Sequence, residues 1–158
     1  MARSIIHPRW FYIGNMGREI RLRPHHILCL HGFRGLGYSQ GFVDNMYRVL
    51  RDLKADPRLK IRLRMGFDLI CSSCTVENIK ECKKTTSKAG RMDRIIYRRL
   101  KGLRKKTTLT DLLPLYYKNI KPKDIKRICR LCQWFDLGYC LPAFKDKNLL
   151  KQLEKGGV

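Results

Sequence analysis

The stretch SQGFVDNMYRVLRDLKADPRLKIRLRM (residues 39–65) holds a helix and a strand end to end. Ser39 stands where its hydroxyl can accept one of the N–H groups that a first helical turn leaves unpaired. From there Phe42, Val43, Met46, Val49, Leu50 and Leu53 recur at helical spacing, which predicts a helix running to about Ala55. Asp56-Pro57 ends it, because the residue before a proline is driven out of the helical region. Leu59-Lys-Ile-Arg-Leu-Arg-Met65 then alternates apolar with basic residues, the period of a strand with one buried face. The expected fold class is mainly α with a small β-sheet, an α+β domain.

Upstream, Pro24 is suited to open a helix, since its missing N–H falls where no partner exists. Gly32, Gly35 and Gly37 end that helix in a tight turn. Residues 1–20 read as an extension in which Pro8, Gly14 and Gly17 interrupt Trp10, Phe11 and Tyr12 without period. With Arg3 and Arg9 beside it, such an arm is suited equally to another macromolecule or to its own domain. Downstream, a helix is expected from Met92 to Leu103 with Ile95, Ile96 and Leu100 buried. Thr110 caps the next, with Leu112, Leu113, Leu115 and Tyr116 inward and Pro114 in its first turn, where proline is tolerated. Pro122 separates it from a helix over Asp124–Cys132, and Asp146–Glu154 forms a terminal helix before a Gly-Gly-Val tail. The boundaries are thus an extension over 1–20, a cysteine-rich domain over 21–145, and a terminal helix and tail over 146–158. A chain of 158 residues that is 44% hydrophobic suffices for one cored domain.

Seven cysteines are the chemical signal. Cys71-x2-Cys74-x7-Cys82 and Cys129-x2-Cys132-x7-Cys140 repeat one spacing. No apolar run approaches the ~18–20 residues of a membrane span, and the first residues lack the apolar core of an export signal. A cytoplasmic, reducing setting is therefore expected, where cysteines serve metals more often than disulfides. Two intervening residues let both thiolates of a pair face one point, and the third cysteine closes on it from a loop. Thiolates are soft ligands, suited to zinc or an iron–sulfur cluster. Each triplet lacks a fourth ligand. Cys29 is the remaining cysteine, with His25, His26 and His31 beside it; seven cysteines and one histidine would complete two four-coordinate sites. Other schemes join the two pairs in one zinc site, or add Cys29 to one triplet in a single four-cysteine cluster. The triplet schemes are preferred, because joining the pairs wastes Cys82 and Cys140. As a staple, such a centre would make Cys71→Ser or Cys132→Ser unfold the domain.

RLRPHHILCLHGFRGLGYS (residues 21–39) resembles the signature of a small prokaryotic family of unknown function, bacterial and archaeal, whose members are often labelled iron–sulfur binding. The likeness continues through Phe42-Val-Asp-Asn-Met, Gly66-Phe-Asp-Leu-Ile-Cys-Ser-Ser-Cys and Ile128-Cys-Arg-Leu-Cys-Gln-Trp to Gly138-Tyr-Cys, spanning about residues 21–142. The resemblance implies a cluster, of the 4Fe-4S kind, at Cys71, Cys74, Cys82, Cys129, Cys132 and Cys140, and a role for His25, His26 and Cys29. It carries no activity. The excess of Lys and Arg and the N-terminal arm depart from the family pattern.

Thirty-five Lys and Arg against thirteen Asp and Glu give a net charge of +22. A polyanion relieves that self-repulsion and gains counterion release besides. The charge crowds between Lys83 and Arg127. Arg91, Arg94 and Arg98 share a helix face, and Arg99, Lys101, Arg104, Lys105 and Lys106 extend it; with Arg3 and Arg9 these are the candidate RNA contacts. They suit a phosphate backbone read by shape. The sequence shows no nucleophile motif, phosphate loop or paired carboxylates, and no small-molecule substrate is evident. The expected function is a non-catalytic, metal- or cluster-holding protein that binds RNA, in or beside the ribosome through rRNA. The alternative is an iron–sulfur redox or electron-transfer protein, or a cluster-dependent enzyme.

Overall fold

The computed structural model describes residues 19–84 and 86–155, with the side chain of Lys83 left aside. The arm with Arg3 and Arg9 and the Gly-Gly-Val tail lie outside the described residues. The chain is mainly helical (61%) with a three-stranded sheet, in a compact single domain. In order, the elements are β1 (Glu19–Leu22), α1 (Pro24–Gly32), α2 (Gln40–Ala55), β2 (Lys60–Leu63), α3 (Val76–Lys83), α4 (Lys88–Arg99), β3 (Thr107–Thr108), α5 (Leu109–Asn119), α6 (Pro122–Cys129), α7 (Cys140–Lys145) and α8 (Asn148–Lys155).

α2 and β2 follow the expectation. Ser39 Oγ accepts the Phe42 N–H at 3.1 Å, and Phe42, Val43, Met46, Val49 and Leu53 are buried. The strand order is β1-β2-β3, with β1 and β2 parallel and Glu19 opposite Lys60. β2 and β3 are antiparallel, with Ile61 opposite Thr107. Parallel neighbours need a crossover, and α1 with α2 supplies it.

Several boundaries differ from the expectation. The helix placed over Met92–Leu103 is α4, capped by Ser87, whose hydroxyl accepts the Gly90 N–H at 3.0 Å. It stops before Leu100, whose N–H closes on Ile96. Thr108, not Thr110, caps α5, so Pro114 lies inside the helix and not in its first turn. Pro122 opens α6 and does not merely precede it; the Lys121 N–H donates to Asp124 at 2.9 Å, and the helix ends at Cys129, short of Cys132. The terminal helix begins at Asn148. β1, β3, α3 and α7 were not anticipated. α3 and α7 carry Cys82 and Cys140, so the third cysteine of each triplet sits on a helix and not on a loop.

The core gathers Leu22, Ile27, Ile61, Ile96, Leu112 and Leu113. Tyr116 is fully buried there, and its hydroxyl donates to the Pro24 carbonyl at 2.8 Å, tying α5 to α1. α8 closes one end with Leu149 and Leu153. α1 is the central element, packed against both α4 and α7. Among the described residues no helix is long and apolar enough to cross a membrane.

Candidate metal centre

Two buried carboxylates anchor the start of α1. A helix N-terminus presents unpaired N–H groups and partial positive charge, which carboxylates satisfy. Asp68 Oδ2 accepts the Arg23 N–H at 2.6 Å, and Asp93 Oδ1 accepts the His25 N–H at 3.1 Å. The same carboxylates bind the side chains. Asp93 takes Arg23 Nε at 2.7 Å and His25 Nδ1 at 2.6 Å, while Asp68 takes His26 Nδ1 at 2.6 Å. The two histidine rings lie 4.2 Å apart. Burial would raise both acids, but His26 and the N–H groups of Cys71 and Arg23 hold Asp68 well below the usual carboxylate range. His25 and Arg23 lower Asp93 as well. Burial and neighbouring His26 push His25 down to about 4, so a neutral imidazole donates to Asp93.

The first triplet begins beside Asp68. Its Oδ1 accepts the Cys71 N–H at 2.9 Å, and the Cys74 N–H closes on the Cys71 carbonyl at 3.0 Å. Thr75 then caps α3, which carries Cys82. Burial, and next the Asp68 carboxylate, push the Cys71 thiol up to about 12. Ligand atoms of His26, Asp68 and Cys71 all lie within 4.8 Å of one another.

The second triplet repeats the turn. Cys129 ends α6, and the Cys132 N–H closes on its carbonyl at 2.8 Å. A single 3₁₀ turn over Phe135–Leu137 and the left-handed Gly138 lead to Cys140, the first residue of α7. Burial, and then Cys140 and Cys132, push Cys129 up to about 12. Cys29, on α1, lines the same cleft as Cys132 and Cys140; burial raises its thiol far above the ordinary range, and Cys132, Cys129 and Cys140 raise it further. Gly32, one turn beyond Cys29, makes the approach possible. A Cβ there would lie 2.6 Å from Cys140 Sγ and 2.8 Å from its Cα. Gly32 is thus needed for the close packing of α1 on α7, whereas Gly35, at φ 80°, is the turn residue.

Both groups open on one cleft of about 560 Å³, lined by Cys29, Cys71, Cys74, Cys82, Cys132 and Cys140. Tyr38 lines the same cleft. Burial raises its hydroxyl, and so do Cys74, Cys132, Cys82 and Cys29. Its ring packs on Trp134 at 4.6 Å. Leu36, Leu131, Leu137 and Tyr139 form an exposed apolar rim. All seven cysteines are free thiols. The donor set suits a soft metal. Among the described residues no three cysteine sulfurs lie within 4.8 Å of one another, whereas four sulfurs on one tetrahedral zinc stand about 3.8 Å apart.

The remaining candidates are dispersed. His31 is buried against α5 and α7, with Nδ1 on the Ile27 carbonyl at 2.8 Å and Nε2 on the Tyr117 hydroxyl at 2.9 Å; burial lowers it to about 4. Among the RNA candidates, Arg91, Arg98, Lys101, Arg104 and Lys105 are exposed, and Arg94 is half-buried. Arg99 pairs with Asp124 at 3.1 Å and Lys106 with Glu19 at 3.0 Å. Sequence reasoning missed Arg23 and Asp93. Asp93 sits in a basic run, and no periodicity marks it as the buried partner of α1.

A profile of the protein family of unknown function DUF1284 matches residues 37–138, about two thirds of the chain. The chain belongs to that family. The match takes in Cys71, Cys74, Cys82, Cys129 and Cys132, and leaves α1 and Cys140 outside. No curated protein and no solved structure matches.

Proposed function

We propose that this DUF1284 protein is an iron–sulfur protein whose cysteines hold clusters in the shared cleft and whose basic surface binds RNA. The placement of six cysteines, Cys29, Cys71, Cys74, Cys82, Cys132 and Cys140, around one cleft carries the reading. With metal bound, Cys29, Cys129, Cys132 and Cys140 would supply four thiolates, and Cys71, Cys74 and Cys82 three. When bound, such a cluster supplies one-electron reduction and oxidation. In the chain itself, N–H to carbonyl bonds fix the Cys71–Cys74 and Cys129–Cys132 turns that would present the thiolates, and Tyr38, Phe42 and Trp134 line the cleft around them.

Two observations bear on what the centre serves. The cleft opens to solvent through an apolar rim, which favours a working redox site over a closed staple. The net charge of +22 and the exposed Arg91, Arg98, Lys101, Arg104 and Lys105 favour docking on RNA, with the ribosome as the polyanion of choice. The test is protein isolated from its host without oxygen and in low salt. Iron with acid-labile sulfide supports the reading, and co-sedimentation with ribosomes that salt abolishes supports its RNA part. Colourless zinc protein makes the sites structural, and protein without either metal refutes the proposal.

A further inference from the structure

Gly32 brings α1, and Cys29 with it, against Cys140; with Cys29 given to the second triplet, none of the seven cysteines remains to complete the first. The group that stands there is an imidazole. His26 and Cys71 present ligand atoms within 4.8 Å of each other. Asp68 binds His26 Nδ1 at 2.6 Å, which leaves Nε2 as the remaining ring nitrogen. The same carboxylate accepts the Cys71 N–H at 2.9 Å and the Arg23 N–H at 2.6 Å. One buried acid thus fixes both the histidine and the first cysteine, the arrangement in which a carboxylate orients a metal-binding imidazole. Asp68 itself is the poorer ligand, being a hard oxygen donor with both oxygens already engaged. His25 is committed to Asp93.

We propose that His26 is the fourth ligand of the Cys71, Cys74 and Cys82 site, and that Asp68 is its positioning residue. The proposal rests on the reading of the cysteines as metal ligands, and it makes the two sites inequivalent. A neutral imidazole in place of a thiolate leaves the first site one negative charge short of the second. Histidine-ligated sites are the easier to reduce. The sequence repeat conceals this difference, because the two triplets have the same spacing.

The experiment uses the full chain, loaded with iron and sulfide without oxygen and carrying ¹⁵N-labelled histidine. Nitrogen hyperfine coupling is read on the reduced protein. A histidine nitrogen coupled to one of the two centres is expected in the wild type. His26→Cys should retain the iron, lose that coupling, and make one centre harder to reduce; His26→Ala should lose about half the iron. Asp68→Asn should weaken the coupling without abolishing it. Iron at both sites with no histidine coupling, or coupling that survives in His26→Cys, overturns this inference alone. A chain that takes up no metal at either site overturns the proposed function along with it.

Discussion

Removing the Asp93 carboxylate should unsettle the whole candidate site from a distance. Asp93 is fully buried and accepts three bonds, from Arg23 Nε, His25 Nδ1 and the His25 N–H. The Arg23 side chain it pairs with is 2% exposed. Asp93→Leu therefore leaves a buried guanidinium without its counter-ion, a loss of about 3–5 kcal/mol. Against a typical total of about 5–15 kcal/mol that is a large share. A domain of this size should melt roughly 10 °C lower. Urea denaturation of wild type, Asp93→Leu and the double variant Arg23→Met/Asp93→Leu separates charge from packing. The double variant should recover most of the loss, because no stranded charge remains. Asp93→Leu within about 1 kcal/mol of wild type, a value typical of an ordinary hydrogen bond, would refute the reasoning. So would a double variant no better than the single one.

Gly32→Ala places a methyl 2.6 Å from Cys140 Sγ; overpacking of this kind costs about 1–3 kcal/mol. Metal bound at the Cys29 group should fall in step, read as metal content per folded chain. His31 and His25 are lowered from 6.5 to about 4. The unfolded chain binds more protons between those values, so stability rises with pH across the window and is lost as pH falls from 6.5 towards 4. Each contributes up to about 3 kcal/mol, and His31→Gln should flatten the pH slope of urea stability; an unchanged slope would exclude His31 as a source. Replacing Arg98, Lys101 and Arg104 by Ala should weaken RNA binding at low salt. Each phosphate deprived of its cationic side chain should lower the slope of log K on log salt by about 0.7–0.9, and an unaltered slope would place the RNA elsewhere.

Local chemistry was legible in the sequence and long-range partnership was not. Ser39, the Phe42–Leu53 spacing and Pro57 define α2 within a few residues of one another, and β2 alternates plainly. α4 begins earlier than its apolar residues suggest, because Ser87 caps a first turn of Lys88, Ala89 and Gly90. β1 was missed because its partner lies some forty residues on and is parallel, so no hairpin turn advertises it. The two triplets were visible as a repeat. Cys29 and a neighbouring histidine were visible as candidates to complete them, but which lies beside which triplet was not, because the approach of α1 to α7 depends on Gly32 and the tie of His26 to the first triplet on Asp68. Arg23 and Asp93 pair across 70 positions, a distance over which charge order says nothing.

The size of the core also changes what a cysteine variant should do. A staple holds together a chain that cannot bury enough apolar surface, and its loss unfolds the domain. Here Leu22, Ile61, Leu112, Leu113 and Tyr116 are fully buried and take no part in lining the cleft. A chain of this length buries about two thirds of its surface and commonly folds without a metal. Cys132 is half-buried at the cleft wall, where a serine hydroxyl fits in its place. Cys132→Ser should therefore lose the metal of the Cys29 group and keep its helical circular dichroism and a cooperative urea transition. Global unfolding of that variant would return the centre to the role of a staple, and a variant still replete in metal would remove Cys132 from the ligand set.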